Sequence, residues 1–335
     1  MTRVERFHPG TKVTNWASGS IAANPGVIST GAGYFGGGDT GAGKTDVIRK
    51  LPFSTDSAAT LAATLSNDTS YTSGMANSPT AGYVGGGLTS AYITTVDKLT
   101  FSTDGVASLG TGLSSARLLT IGLGNAGVAG YFAGGYATAP VNTVDKFAFS
   151  DDSRTTLGTG LDGVTNTGEG MSNSGTAGYV GAGYVDLGSG YVYTDIVYKI
   201  TYSADSMSTL SATLASAMRY GGGMANVGTA GYIAGGHIGG NNAYLDTVNK
   251  FSFSDDSRTT LGTGLSQGLY SPCGAAQTGT AGYFAGGTCC NNAGWTKQTQ
   301  AEKFAFADDS RSVIASVFAT GTSSGAAGFA DEGAL

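Results

Sequence analysis

The 335-residue chain carries 57 Gly, 6 Pro, 3 Cys, 2 His and only 12% charged residues, with 17 Lys+Arg against 23 Asp+Glu and a formal net charge of −6. That balance excludes a charge-rich disordered chain, a Gly-X-Y collagen and, for want of basic excess, a protein that neutralises nucleic-acid phosphates. No apolar run approaches the ~20 residues of a membrane-spanning helix; the opening MTRVERFHP reads as mature protein without a signal peptide, and Cys273, Cys289 and Cys290 form no disulfide framework.

Along the chain two short patterns alternate. The first is an alternating run that closes on a base and an apolar residue, VERF at Arg6. The second is an Ala-Gly-aromatic step leading into glycines, AGYFGGG at Tyr34. The base pattern returns at Lys50, Lys98, Lys146, Lys199, Lys250 and Lys303, as in VDKF around Lys146. The aromatic pattern returns at Tyr83, Tyr131, Tyr179, Tyr232 and Tyr283, and shortened as AGFADEG at Phe329, so each has seven copies. From base to next aromatic the spacing is 33 residues in five consecutive units, whereas from aromatic to next base it runs 16, 15, 15, 20, 18 and 20. Insertions are thereby confined to one connection per unit, and the rest keeps the fixed length of a packed module.

Inside a unit the pattern is strand throughout. VDKFAFS alternates with period two, SDDSR or STDG supplies a turn, TTLGTGL and GMANSGTAG follow, and AGYFAGG is a glycine-rich strand. Four short strands per unit of this length predict an all-β, seven-bladed β-propeller of four-stranded antiparallel blades. The expected blades are 27–66, 71–115, 119–162, 168–215, 220–266 and 271–318, with a composite of 321–335 and 1–22, all in one domain spanning 1–335. The complementary half-repeats at the two ends predict closure by pairing of N- and C-terminal strands, which removes exposed sheet edges.

AGYVGGG, TTVDKLTFSTDG and LGTGLSSAR, which ends at Arg117, follow one another in the order of a kelch blade, and ASAMRYGGG places Arg219 similarly. Over essentially its whole length the chain resembles the kelch-repeat family of β-propellers. It departs from that family in lacking the outer-strand tryptophan, where TTLGTGL has Leu or Thr, so lighter outer packing is expected. The repeated GYFAGG and VDKFAFS in a Ser/Thr/Gly-rich chain are also similar to kelch-like bacteriophage virion and tail-fibre proteins. That resemblance implies a virion or extracellular protein, assembled in the host cytoplasm, with other virion subunits or host-surface glycan as partners.

Read for chemistry, the glycine pairs at 37–38, 86–87, 134–135, 235–236 and 286–287 lack the following helix that a phosphate cradle needs, and suit close backbone approach near a crowded axis. The turns at Asp104, Asp151–Asp152, Asp255–Asp256 and Asp308–Asp309 read as side-chain-capped hairpins rather than calcium loops, which need six to eight converging oxygens. Arg154, Arg258 and Arg311 follow those turns on the outer side. His8 and His237 fall in different blades, no nucleophile elbow is present, and adjacent Cys289 and Cys290 do not make a metal set. The expectation is therefore a non-enzymatic chain with no cofactor and no metal, no nucleic acid and no membrane insertion. A homo-oligomer stays open.

The lengthened connections after Tyr179, Tyr232 and Tyr283 fall in three consecutive blades and so predict one shared face. They carry Tyr184, Tyr191, Tyr193, His237, Asn241, Asn242, Tyr244, Asn291, Asn292 and Trp295. Aromatic rings among amides fit a sugar or a protein partner; tolerated insertion or subunit contact is the equal alternative. The function expected is a binding or structural propeller of a phage virion: tail fibre, receptor-binding or decoration protein. A polysaccharide-acting enzyme or an intracellular kelch-type scaffold is the alternative.

Overall fold

The computed structural model describes residues 31–163, 165–181, 183–186, 190–239, 243–291, 294–319 and 325–332. They are all-β, in six four-stranded antiparallel sheets with two short hairpin sheets in the lengthened connections. In the third sheet Ile121–Asn125, Ala129–Ala133, Val144–Ala148 and Arg154–Thr156 lie side by side in chain order. The glycine-rich strand Ala129–Ala133 is buried on both faces because a sheet packs on either side of it, which is why it reads as continuous apolar sequence. The outermost strand is mostly exposed and Thr-rich.

The innermost strands are Ser73–Asn77, Ile121–Asn125, Glu169–Asn173, Arg219–Asn226, Cys273–Gln277 and Ala327–Ala330. Each packs against the innermost strands of the sheets before and after, and Ala327–Ala330 packs against both Cys273–Gln277 and Ser73–Asn77. The arrangement is propeller-like, with six four-stranded sheets among the described residues, beside the seven blades expected of the whole chain. Ala327–Ala330 pairs antiparallel with Ala32–Gly36, Tyr34 opposite Phe329, and becomes the innermost strand of the sheet that continues through Thr45–Pro52 and Ala59–Thr69. Phe329 thus stands where Met75, Leu123, Met171 and Met224 stand opposite the tyrosines of other sheets. AGFADEG is thus an innermost strand of the first sheet, whose wording resembles the neighbouring strand. Residues 1–22, and VERF with them, lie outside the described residues.

One link repeats between every sheet and the next. The lysine of the base pattern and the tyrosine of the aromatic pattern stand opposite each other on the third and second strands, and both reach the turn aspartate of the following sheet. Tyr34 and Lys50 hold Asp104, Tyr83 and Lys98 hold Asp152, Tyr131 and Lys146 hold Asp205, Tyr179 and Lys199 hold Asp256, and Tyr232 and Lys250 hold Asp309. Tyr283 and Lys303 of the sixth sheet hold Asp56 of the first. Ion-pair distances run from 2.5 to 2.8 Å and the phenols donate to the carboxylates at 2.7 to 3.1 Å. Each lysine lies 5.2 to 5.5 Å from its tyrosine ring, and an aromatic residue of the next sheet stacks on that ring at 5.1 to 5.3 Å, from Phe101 on Tyr34 round to Phe53 on Tyr283. Burial and the adjoining carboxylate raise Tyr83 and its equivalents far above the ordinary phenol range, so they remain donors.

The turn reading is refined accordingly. The first aspartate of each pair caps its own turn, Asp151 accepting from the Ser153 amide and Asp255 and Asp308 likewise. The second, and the single Asp205 in the same place, stands at a left-handed φ of 48° to 57° in Asp152, Asp205, Asp256 and Asp309 and is turned back toward the previous sheet. Arg154, Arg258 and Arg311 start outermost strands, as expected.

The crowded glycines also differ from expectation. A Cβ on Gly122 would lie 1.8 Å from the Gly74 carbonyl oxygen, and the same clash at 1.7 to 2.5 Å recurs through Gly170, Gly223, Gly274, Gly328 and back to Gly74. These glycines sit on innermost strands; the glycine pairs lie elsewhere. Gly122→Ala is expected to cost at least about 2 kcal/mol. Gly158→Ala, at a position with open space around it, should change stability by less than about 0.5 kcal/mol; urea denaturation of both variants checks this.

Candidate functional site

At the end of the second strand a glycine turns the chain out. That glycine, at φ of 101° to 119° in Gly38, Gly87, Gly135, Gly183 and Gly236, donates its amide at 2.7 to 2.9 Å to the segment entering the next innermost strand, at Thr69, Arg117, Thr165, Met218 and Leu269. These glycines therefore lie at one end of the propeller-like arrangement of sheets. The variable connections leave from that end.

Counting from those carbonyls shows what each position does. One residue on, Ser70, Leu118, Asn166, Arg219 and Tyr270 pair across to Leu88, Tyr136, Tyr184, His237 and Thr288 of the variable connections. Two residues on, Tyr71, Leu119, Thr167, Tyr220 and Ser271 adopt left-handed φ of 53° to 60° and rim a central depression of about 90 Å³. Their backbones are chained: Leu119 donates to Tyr71 at 2.9 Å, Tyr220 to Thr167 at 3.0 Å, Ser271 to Tyr220 at 2.6 Å, and Thr72 to Gly325 at 3.1 Å. Glu169 lies in this rim, its carboxyl pushed well above the ordinary range by burial despite the Gly221 amide.

The same count corrects the pairing of Arg117 with Arg219. Arg117 corresponds to Met218, so Arg219 is one residue further on and, with side chains alternating, points the other way. Arg117 is fully buried and forms a 2.9 Å ion pair with equally buried Asp145, aided by Ser114 and Ser115. Burial alone would raise Asp145, but the Ser114 amide, the Thr156 hydroxyl, the Arg117 charge and the Ser114 hydroxyl bring it below the ordinary carboxylate range. Arg219 instead sits among phenols on the loop face, its guanidinium 5.3 Å from the Tyr184 ring, 4.9 Å from Tyr193 and 5.0 Å from Tyr220.

The predicted residues fall as follows. Tyr184 and Tyr193 stand opposite each other on the hairpin Tyr184–Asp186 and Tyr191–Tyr193, ring centroids 5.6 Å apart. Tyr193 meets His237 edge-on at 5.8 Å, and His237 lies 5.6 Å from Tyr244. The fourth and fifth variable connections are thus in contact. Tyr191, Asn291 and Trp295 lie on described strands, but their side chains are outside the described residues, as are Asn241, Asn242 and Asn292. The sixth connection meets the first, where Lys297 holds Asp39 at 2.6 Å, the hydrogen bonds from Lys297 and the Gly41 amide keeping Asp39 below its usual range. Buried Cys289 accepts from the Gln298 side chain.

Four members of the cluster were not foreseen. Tyr270 lies 4.4 Å from Tyr220, 5.7 Å from Tyr244 and 6.5 Å from His237, and Tyr71 and Arg219 adjoin them electrostatically. All four come from strand-entry segments, whose role appears only once the sheets close up. Beside the cluster, exposed Val192 and Ile238 with Tyr184, Tyr193 and Ala217 line an open depression of about 420 Å³. His237 Nδ1 accepts from the Gly239 amide at 3.4 Å; burial and then Arg219 lower its pKa, leaving a neutral ring at pH 7.

Comparison with protein-family models finds none that matches this chain, and comparison with curated proteins finds no significant match.

The two arginines give a direct test. Arg117→Ala strands a buried aspartate and is expected to cost about 3–5 kcal/mol, whereas Arg219→Ala should cost less than about 1 kcal/mol. Because Asp145 is held low, its contribution is complete above about pH 4 and is lost as pH falls through its lowered value, so the Arg117→Ala deficit narrows in acid. Denaturant titration of both variants across pH measures this.

Proposed function

We propose that the chain is a six-bladed, kelch-like β-propeller acting as a non-enzymatic binding module of a bacteriophage virion, and that its loop face receives a host-surface glycan. The observation that carries this is the continuous run of rings from Tyr184 through Tyr193, His237 and Tyr244 to Tyr270 beside an open depression. Pyranose rings present apolar C–H faces that stack on aromatic rings, while hydroxyl and amide groups at the edge satisfy their polar rims. A preformed wall of rigid side chains lowers the entropy lost on binding. His237 is packed as one of those rings, its Nδ1 accepting from the Gly239 amide. The virion assignment rests on the repeat wording and on the low-charge, Ser/Thr/Gly-rich composition.

Glycan-array binding by the purified chain tests this. Tyr193→Ala and Tyr244→Ala are each expected to weaken the bound glycan about tenfold, the scale of one lost stacking contact, with melting temperatures close to that of the unaltered chain. Binding indifferent to both substitutions overturns the glycan face; absence of the protein from purified particles overturns the virion role.

A further inference from the structure

Arg219 differs from every other described arginine. Arg49, Arg117, Arg154, Arg258 and Arg311 all donate hydrogen bonds to backbone or side-chain oxygens. Arg219 has five N–H donors and, among the described residues, neither an acceptor nor a carboxylate within ion-pair distance; its Nε, like those of Arg117 and Arg154, is shut away from solvent. Three phenol rings crowd the guanidinium. Such rings favour the cation without spending its donors, so the charge is held in place with its hydrogen-bonding capacity unused.

The rest of the face agrees. His237, across the strand pair from Arg219, is neutral and contributes a ring. The chain as a whole carries −6, so general electrostatics repel an anion, and a site that takes one needs a local cation without its own counter-ion. Arg219 is that cation. Its planar fork matches a carboxylate, which can accept two parallel N–H bonds, while Tyr184 and Tyr193 beside it offer stacking surface to the ring that bears the carboxylate.

We propose that Arg219, framed by Tyr184, Tyr193 and Tyr220, is a carboxylate-binding subsite that makes the loop face selective for acidic sugars of the hexuronic class. This rests on the glycan-binding reading and narrows it.

The test is calorimetric titration of the full chain with three oligosaccharides of one length and linkage: a glucuronate-bearing one, its glucose counterpart and a 6-sulfated counterpart. The unaltered chain is expected to bind the glucuronate form about tenfold or more tightly than the glucose form. Arg219→Gln should abolish that preference and Arg219→Lys should retain only part of it, both with melting temperatures near that of the unaltered chain. Equal binding of the glucuronate and glucose forms, or a preference that survives Arg219→Gln, overturns the subsite while leaving the glycan face standing. A sulfated form bound as tightly as the glucuronate overturns the carboxylate assignment. No binding of any of the three, together with a silent Tyr193→Ala on the array, overturns subsite and glycan face alike.

Discussion

The tight turn of each sheet is anchored by its predecessor. Asp152 sits at the left-handed corner of a hairpin in the third sheet, yet its carboxylate is held by Tyr83 and Lys98 of the second. Repeated six times, with Asp56 closing the sequence against Tyr283 and Lys303, this link fixes the angle between neighbouring sheets. It joins a left-handed aspartate, a phenol, an ammonium and a stacked aromatic residue in one place. The lysine and aspartate side chains are only a quarter to a third exposed, so their pairing is less weakened by solvent than that of surface ion pairs. The central glycines depend on it, since carbonyl and Cα can approach as they do at Gly74 and Gly122 only while the sheets keep that angle.

The loop face inherits its geometry from the same constraint. Tyr193 and His237 come from the connections of the fourth and fifth four-stranded sheets, which are linked by Tyr179, Lys199 and Asp256. The fifth strand-entry segment brings Arg219 and Tyr220 to the loop face, and the sixth brings Tyr270. A face assembled from three successive sheets is rigid to the degree that their interfaces are. That rigidity makes preorganised stacking a reasonable use for it.

Much of this was legible from the residues alone. The constant spacing between Lys98 and Tyr131, and its copies, reported a packed unit, and the variable spacing from Tyr179 to Lys199 located the lengthened connections. Arg154, Arg258 and Arg311 were readable as outer because turns precede them. The place of the C-terminal strand was not, because AGFA at Phe329 and AGYFA at Tyr283 look alike as strings, yet one is an innermost strand and the other a second strand. Arg219 was misaligned by one residue for a similar reason: SSAR and SAMR read alike, and only the hydrogen bonds from Gly87 and Gly183 show that Arg117 matches Met218. Local wording fixes strand type, whereas register and facing are decided by partners dozens of residues away.

The most direct measurement is a double-mutant cycle across the seam between the sixth and first sheets, with Lys303→Met and Asp56→Asn, set beside the same cycle at Lys98 and Asp152. Lys303 and Asp56 are 247 residues apart in the chain. If every sheet grips the next alike, the two coupling energies agree within about 0.5 kcal/mol. A coupling at Lys98 and Asp152 with none at Lys303 and Asp56 would mean that the chain of links does not close.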